Sequence, residues 1–536
     1  MASVGWRIMK LNTYDVIVIG AGHNGLVTAG YLALAGKKVA VFEKRHIVGG
    51  CAVTEEHWDG FKISSLSYVN SLFRPEIIKD LNLKDFGFEM IPRIPSSFTP
   101  FNDGRSLVLG PDKIRNIEEI SKFSKKDAEN YPKFEAMLDE MAKILEPLMT
   151  MVPPNPGKIS FGEIIEYGSF LFSKKSALEK NWAELTRMMS GSARDMLDEW
   201  FESEELKVTL ATDAVIGANA SPSMPGTAYV LFHHVMGECN GVRGVWGYMR
   251  GGMGGLTQAL AKSCQSLGVD IFTDSGVSSI SILNGRAHGV VTETGNDYNS
   301  KIVVSSTDCN ITFLKLIDQD QLPSDFLRDV QRINYDSASV KINLATDTLP
   351  DFSAKSGEGE WLNGTIHICP DMQYIEDAYA DSVAGRPSVR PILEMTIPSK
   401  LDNTLAPQGK HVINLFTQYG PYELRKGLDW ETEREKYADR AIAILCEYAP
   451  NMKNSILHRQ VLTPIDLERE YHITGGSLFH GRMTLDQMFH MRPVPGYANY
   501  RTPIQDLYLC GSATHPGGGV MGTSGLNASK EILKDI

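Results

Sequence analysis

Three glycines and an acid carry the clearest chemical signal in this chain. Gly20, Gly22 and Gly25 form a G-x-G-x-x-G turn with Ala21, His23 and Asn24 between them, and Glu43 follows about 20 residues on. That pattern suits a dinucleotide. Gly20 permits a tight turn, Gly22 lets a pyrophosphate approach the backbone, and Gly25 lets a helix pack close to a strand. The helix start offers free N–H groups and partial positive charge to phosphate, and Glu43 can accept from ribose hydroxyls. The turn alone does not separate FAD from NAD. Three later features point to FAD. Lys44 and Arg45 lead into Gly49-Gly50, where a second loop can lie close to the diphosphate and ribityl chain, with Arg45 adding charge. A set of short strands near Val277 can cover an adenine, with the Val277 backbone as its partner. Near the C-terminus, Gly511-Ser512 and Val520-Met521-Gly522 make a second close-approach site, and the helix start that follows can stabilise negative charge on a reduced flavin ring.

The elements that must position these residues are legible from their periodicity. Tyr14–Ile19 reads as a buried strand, the stretch from Leu26 to about Ala35 as a helix, and Val39–Phe42 as the next strand. Short strands with a turn at Asn284-Gly285 lead to a buried strand at Lys301–Ser306. A strand ending at Cys510 enters the glycine-dense loop and a final helix. Together these predict an α/β fold with a Rossmann-like FAD-binding domain assembled from residues 1–70, 230–310 and 480–536. Two inserts, 71–229 (helical, starting near Ser124) and 311–479 (α+β), would form a substrate domain.

Candidates for acid–base chemistry are few. His515 lies inside the cofactor-facing loop, and Arg194-Asp195 is a charged pair in the helical insert; these three are the candidate catalytic residues. His233-His234 sits in an apolar run, and His472 and His480 flank Gly475-Gly476. None of these shows metal-ligand spacing. Gly251–Gly255 lacks the strand and acid of a second nucleotide turn, so no nicotinamide domain is expected. Electrons would pass from reduced FAD to oxygen, a quinone or a protein carrier. Hydride transfer from a C–H bond needs orientation and a dry pocket more than a strong base.

These motifs resemble the flavin-binding signatures of the phytoene desaturase and carotenoid isomerase group, within the amine-oxidase-like flavoproteins. Gly49–Glu56, Leu210–Gly217, Trp246-Gly247-Tyr248, Leu415–Tyr419 and Leu485–Met488 resemble one subgroup, the pyridine nucleotide-disulfide oxidoreductase domain-containing 2 proteins. The resemblance implies FAD, a two-domain flavoprotein fold and redox chemistry on an apolar, lipid-like or polyene molecule. Cys51 stands where amine oxidases carry arginine, and Met521 where carotenoid desaturases carry proline. Two alternatives stay open: a non-catalytic lipid- or protein-binding module on the same scaffold, and an amine oxidase.

Composition narrows the field. A chain of 536 residues, 42% hydrophobic and 22% charged, exceeds one ordinary core. A net charge of −12 argues against nucleic acid. Seven cysteines without a C-x-x-C pair suit a reducing compartment. The short N-terminal leader favours the cytoplasm over the mitochondrial matrix. The helical insert around Phe170-Leu171-Phe172 is a candidate for peripheral membrane contact.

Overall fold

The computed structural model describes residues 13–155, 157 and 159–536, so the leader lies outside the described residues. The first described elements are β1 (Thr13–Ile19), α1 (His23–Leu34) and β2 (Val39–Phe42). β3 (Ser97–Pro100) and β4 (Ser106–Leu109) precede the helices α2 (Lys125–Met149), α3 (Phe161–Ser190), α4 (Ala193–Trp200) and α5 (Thr227–Val235). Next come α6 (Gly254–Ser266) and the strands β5 (Asp270–Phe272), β6 (Val277–Leu283), β7 (Arg286–Thr292) and β8 (Asp297–Ser305). β9 (Ser339–Thr346), β10 (Thr365–Ile368), β11 (Ile392–Thr396), β12 (His411–Gln418) and β13 (Ile456–Leu462) follow. β14 (Leu507–Leu509) and α7 (Thr523–Ile532) complete the chain.

Seven strands form the first sheet in the order β5-β2-β1-β8-β7-β6, with β14 also paired to β8. β1 runs parallel to both β2 and β8, and β8 parallel to β14. Successive β1 residues point to opposite faces. Val16 and Val18 pack with Leu26, Leu260 and Leu526 on the helical side, while Ile17 and Ile19 join Phe42, Val303 and Phe313 on the other. Both faces are therefore covered, which is why β1 and β2 read as unbroken apolar runs. The second sheet, β13-β9-β12-β11-β10-β3-β4, is antiparallel except where β10 meets β3. Its core holds Ile342, Leu344, Leu393, Met395, Ile413 and Leu415.

Local signals set the helix starts. α1 begins at His23, earlier than the Leu26 expected, because Gly22 itself is the cap and Gly25 falls in the first turn. Ser124 caps α2, its Oγ accepting from Asp127 N at 3.1 Å. Ser160 and Glu163 form a capping box for α3. Of the thirty residues of α3 only Met188 is buried, and Phe161, Ile164, Ile165, Leu171, Phe172 and Trp182 stand exposed along it. No helix among the described residues is long and apolar enough to cross a membrane.

Candidate cofactor and substrate site

The glycine turn is built by contacts that no larger residue would permit. Gly20 has φ +93° and donates to Phe42 O at 2.8 Å, tying the end of β1 to β2. A Cβ on Gly25 would lie 2.2 Å from Gly20 O. The turn is clamped from the other side by the second glycine pair. Gly49 N donates to Ala21 O at 2.9 Å, Gly22 and Gly49 form a parallel bridge, and a Cβ on Gly49 would sit 2.7 Å from Thr257 Oγ1. Gly22 caps α1 with no side-chain acceptor, so the first-turn N–H groups are left for a ligand.

Glu43 is buried and braces this turn. Its Oε2 accepts from Ala21 N at 2.8 Å and its Oε1 from Arg45 N at 2.9 Å, leaving further lone pairs free. Burial raises its carboxyl above the ordinary range, and the backbone donors pull it partly back. Lys44 reaches sideways to Glu293 at 2.7 Å. Arg45 pairs with Glu55 at 2.7 Å and lies over the Tyr471 ring at 4.5 Å, while its Nη1 is buried without a protein partner.

The two ends of the chain meet at Asn24. Its Nδ2 donates to Ser512 Oγ at 3.2 Å, and Gly525 N donates to its Oδ1 at 3.4 Å. Thr28 Oγ1 donates to Gly525 O at 3.2 Å, which locks α1 against α7. A Cβ on Gly511 would lie 2.4 Å from Ser306 O. Gly522, at φ +74°, caps α7, and Met521 is buried beneath it with its carbonyl accepting from Arg74 N at 3.1 Å.

These pieces border one cavity of about 1220 Å³. Gly20, Gly22, His23, Asn24, Glu43, Lys44, Arg45, Gly50, Val277, Ser512 and Val520 line it; Ala21, Gly25, Gly49, Gly511, Met521 and Gly522 stand behind as support. The uncapped helix start, the unpartnered Arg45 Nη1 and the cradle closed to any Cβ all fit an anionic dinucleotide. The volume exceeds the roughly 300–1,000 Å³ of a common ligand pocket, which leaves space for a second molecule beside the cofactor.

The three candidate catalytic residues are not among those lining the cavity. His515 is buried, with Nε2 bonded to Leu148 O at 2.9 Å and its carbonyl accepting from Tyr500 and Ser524. Desolvation lowers it to about 4, so it is a neutral brace between the last loop and α2. Arg194 turns to Glu376 at 3.2 Å and Ser223 at 3.4 Å. Asp195 accepts from Ser192 Oγ at 2.7 Å while its own N–H donates to that hydroxyl, in the first turn of α4. The Ser-x-x-Asp spacing is a helix-cap signature, and it accounts for Asp195. His233 and His234 do line the cavity; His233 Nε2 meets Gly518 O at 3.2 Å, and His234 stacks on Trp246 at 5.9 Å. His472 and His480 line it as well.

Sequence reasoning missed a second polar cluster. Tyr68, Arg93, Asp213, His367 and Glu394 also line the cavity, whose wall includes Phe134, Leu138, Leu210, Phe416 and Phe479. Tyr68 OH donates to Glu394 Oε1 at 2.5 Å, and the buried Lys341 Nζ lies 3.9 Å from the Tyr68 ring centre. Thr212 Oγ1 is 3.0 Å from His367 Nδ1. Desolvation, helped by Asp213, pushes Glu394 up to about 7; it raises Asp213 to about 6, lowers His367 to about 3 and holds Lys341 far below its usual value. A signal existed. Glu394, Lys341 and His367 each interrupt an otherwise apolar strand: Ile-Leu-Glu-Met-Thr, Ser-Val-Lys-Ile-Asn and Thr-Ile-His-Ile. Charged groups on fully buried strands are rare without a purpose. All seven cysteines are free, so no disulfide pair stands at the site.

A family model described as flavin containing amine oxidoreductase matches residues 25–533. The chain is 44% identical over 544 residues, 98% of itself and 94% of the relative, to pyridine nucleotide-disulfide oxidoreductase domain-containing protein 2 of Mus musculus. It is 29% identical, over 97% of itself and 95% of the relative, to a limonene dehydrogenase subunit from Castellaniella defragrans. Among solved structures, an oxidoreductase from Methanosarcina mazei superimposes with a TM-score of 0.60 at 17% identity, covering 97% of this chain and 99% of that one.

Proposed function

Because the chain belongs to the flavin-containing amine oxidoreductases and takes FAD as its cofactor, we propose that it dehydrogenates or isomerises an apolar, lipid-like or polyene molecule. One observation carries this reading: a single cavity joins the glycine cradle of Gly20, Gly22 and Ser512 to a wall of Phe134, Leu138, Phe416 and Phe479. A relative of similar length is part of a limonene dehydrogenase, which lends support to a hydrocarbon-rich substrate. Bound FAD would supply the acceptor for a hydride. Gly20, Gly22 and the α1 start would hold its diphosphate, Glu43 a ribose, and the Val520 loop its ring. The protein's own contribution is a dry, shaped wall and neutral histidines: burial lowers His23 to about 4 and His233 to about 3, so neither carries charge at neutral pH. Such a wall orients a C–H bond and excludes water.

Supply of an apolar substrate favours a bilayer. Phe161, Phe172 and Trp182 are 77%, 83% and 65% exposed on α3, too large an apolar stripe for a solvated helix, so we assign α3 to peripheral membrane contact. The final electron acceptor is oxygen, a quinone or a protein carrier, and the cytoplasm or the mitochondrial matrix suits seven free cysteines. The test is anaerobic: the flavin absorbance of the purified protein should bleach with lipids or polyenes from an apolar panel. A flavin-loaded sample that no apolar compound reduces, yet releases peroxide with amines in air, would replace this reading with an amine oxidase.

A further inference from the structure

The cavity holds a buried cation with no carboxylate in ion-pair contact. Arg93 is 4% exposed and lines the cavity. Among the described residues no carboxylate lies within 4.0 Å of its guanidinium. Nη1 donates to Thr365 Oγ1, Nε is buried without a partner, and the Tyr248 ring centre is 5.7 Å away. A buried charge left unpaired in this way is costly, and an anion would relieve it.

The groups around Arg93 decide which anion. Asp213 and Glu394 face it from beyond ion-pair distance, together with Tyr68, Tyr248, His367 and Cys239. His234 also acts on Glu394, and Glu394 in turn on the buried Lys341. Glu394 Oε1 is engaged by Tyr68, and its Oε2 is buried with no partner. Desolvation drives both carboxyls toward their protonated, hydrogen-bond-donating form. An ammonium entering here would meet the guanidinium, whereas a hydroxyl would leave that charge unbalanced. A planar carboxylate matches the guanidinium fork and can accept from a protonated carboxyl beside it.

We propose that Arg93 receives a carboxylate borne at one end of an otherwise apolar substrate, with the Asp213 and Glu394 carboxyl groups donating to it. This rests on the reading of the cavity as the substrate site and names the substrate class within it. Binding such an anion keeps protons on Glu394 and Asp213, so affinity rises as pH falls through the range where Glu394 titrates.

Calorimetric titration of the FAD-loaded protein with dodecanoate, dodecylamine and dodecanol tests the assignment. Dodecanoate should bind tightest and tighten between about pH 8 and about pH 6.5, as expected when a carboxyl is held up near 7. R93L should weaken dodecanoate relative to dodecanol by about 10–100-fold, the worth of a charge-assisted hydrogen bond. If R93L does not fold, R93K carries the test: it keeps charge but loses the fork, so dodecanoate should weaken several-fold against dodecanol. Equal or tighter binding of dodecylamine, or dodecanoate affinity unmoved by R93K, overturns the head-group assignment alone. If none of the three amphiphiles binds a flavin-loaded sample, the substrate reading of the cavity falls with it.

Discussion

Replacing Glu394 with glutamine should flatten the dependence of stability on pH. Burial and the neighbouring Asp213 raise this carboxyl from 4.5 to about 7, and the side chain is 7% exposed. The folded state therefore holds a proton that the unfolded chain has released. The resulting stabilisation is fully present below the unfolded value near 4.5 and is lost as pH rises through about 7. At 1.36 kcal/mol per pKa unit, the swing is about 3.4 kcal/mol, and relaxation of the site reduces it to roughly 2–3 kcal/mol. Glutamine is never charged and can still accept from Tyr68. With an unfolding entropy of about 2 cal/mol/K per residue, E394Q should melt roughly 2–3 °C above wild type at about pH 8.5, the gap narrowing as pH falls through about 7 and closing only at about pH 4.5 and below. Melting curves of the flavin-loaded proteins across that range provide the measurement. Parallel curves for the two proteins would refute the reasoning, because they would mean that Glu394 ionises in the folded state as it does in the unfolded one.

Two further outcomes follow from the packing. Gly25→Ala places a methyl 2.2 Å from Gly20 O, which should cost about 1–3 kcal/mol and strip flavin absorbance from the purified protein; a yellow G25A of wild-type stability would contradict the cradle. Phe172→Glu, on the solvent side of α3, should change stability by less than about 0.5 kcal/mol yet lower co-sedimentation with lipid vesicles several-fold. Unaltered vesicle binding would remove α3 from the membrane reading.

What the sequence revealed tracks how local each feature is. The strand–turn–helix–strand unit with Glu43 was legible because strand, glycine turn and acid lie within one short stretch, each with its own periodicity. The start of α1 was misplaced because His23 and Asn24 read as turn residues, while the backbone had already become helical at Gly22. His515 was read as site-facing from its neighbours in the loop; its ring instead bonds to Leu148, a residue far away in sequence that only packing brings near. His367 and Glu394 stand on β10 and β11, while Arg93 and Asp213 come from separate segments outside the second sheet, a convergence no spacing rule reports. The acid within β11 and the lysine within β9 were the available clues, since an apolar run with one charge at its centre is a poor strand unless that charge has work to do.

The handshake of Asn24 with Ser512 and Gly525 bears on how the protein matures. Half of the nucleotide cradle precedes its partner loop and α7 in the chain by nearly 500 residues. The cradle is complete only when both segments are present, so α1 meets its C-terminal partner through a contact that spans most of the domain. A lesion that strains or removes α7 would leave an apoprotein whose fault lies hundreds of residues from the motif it disables.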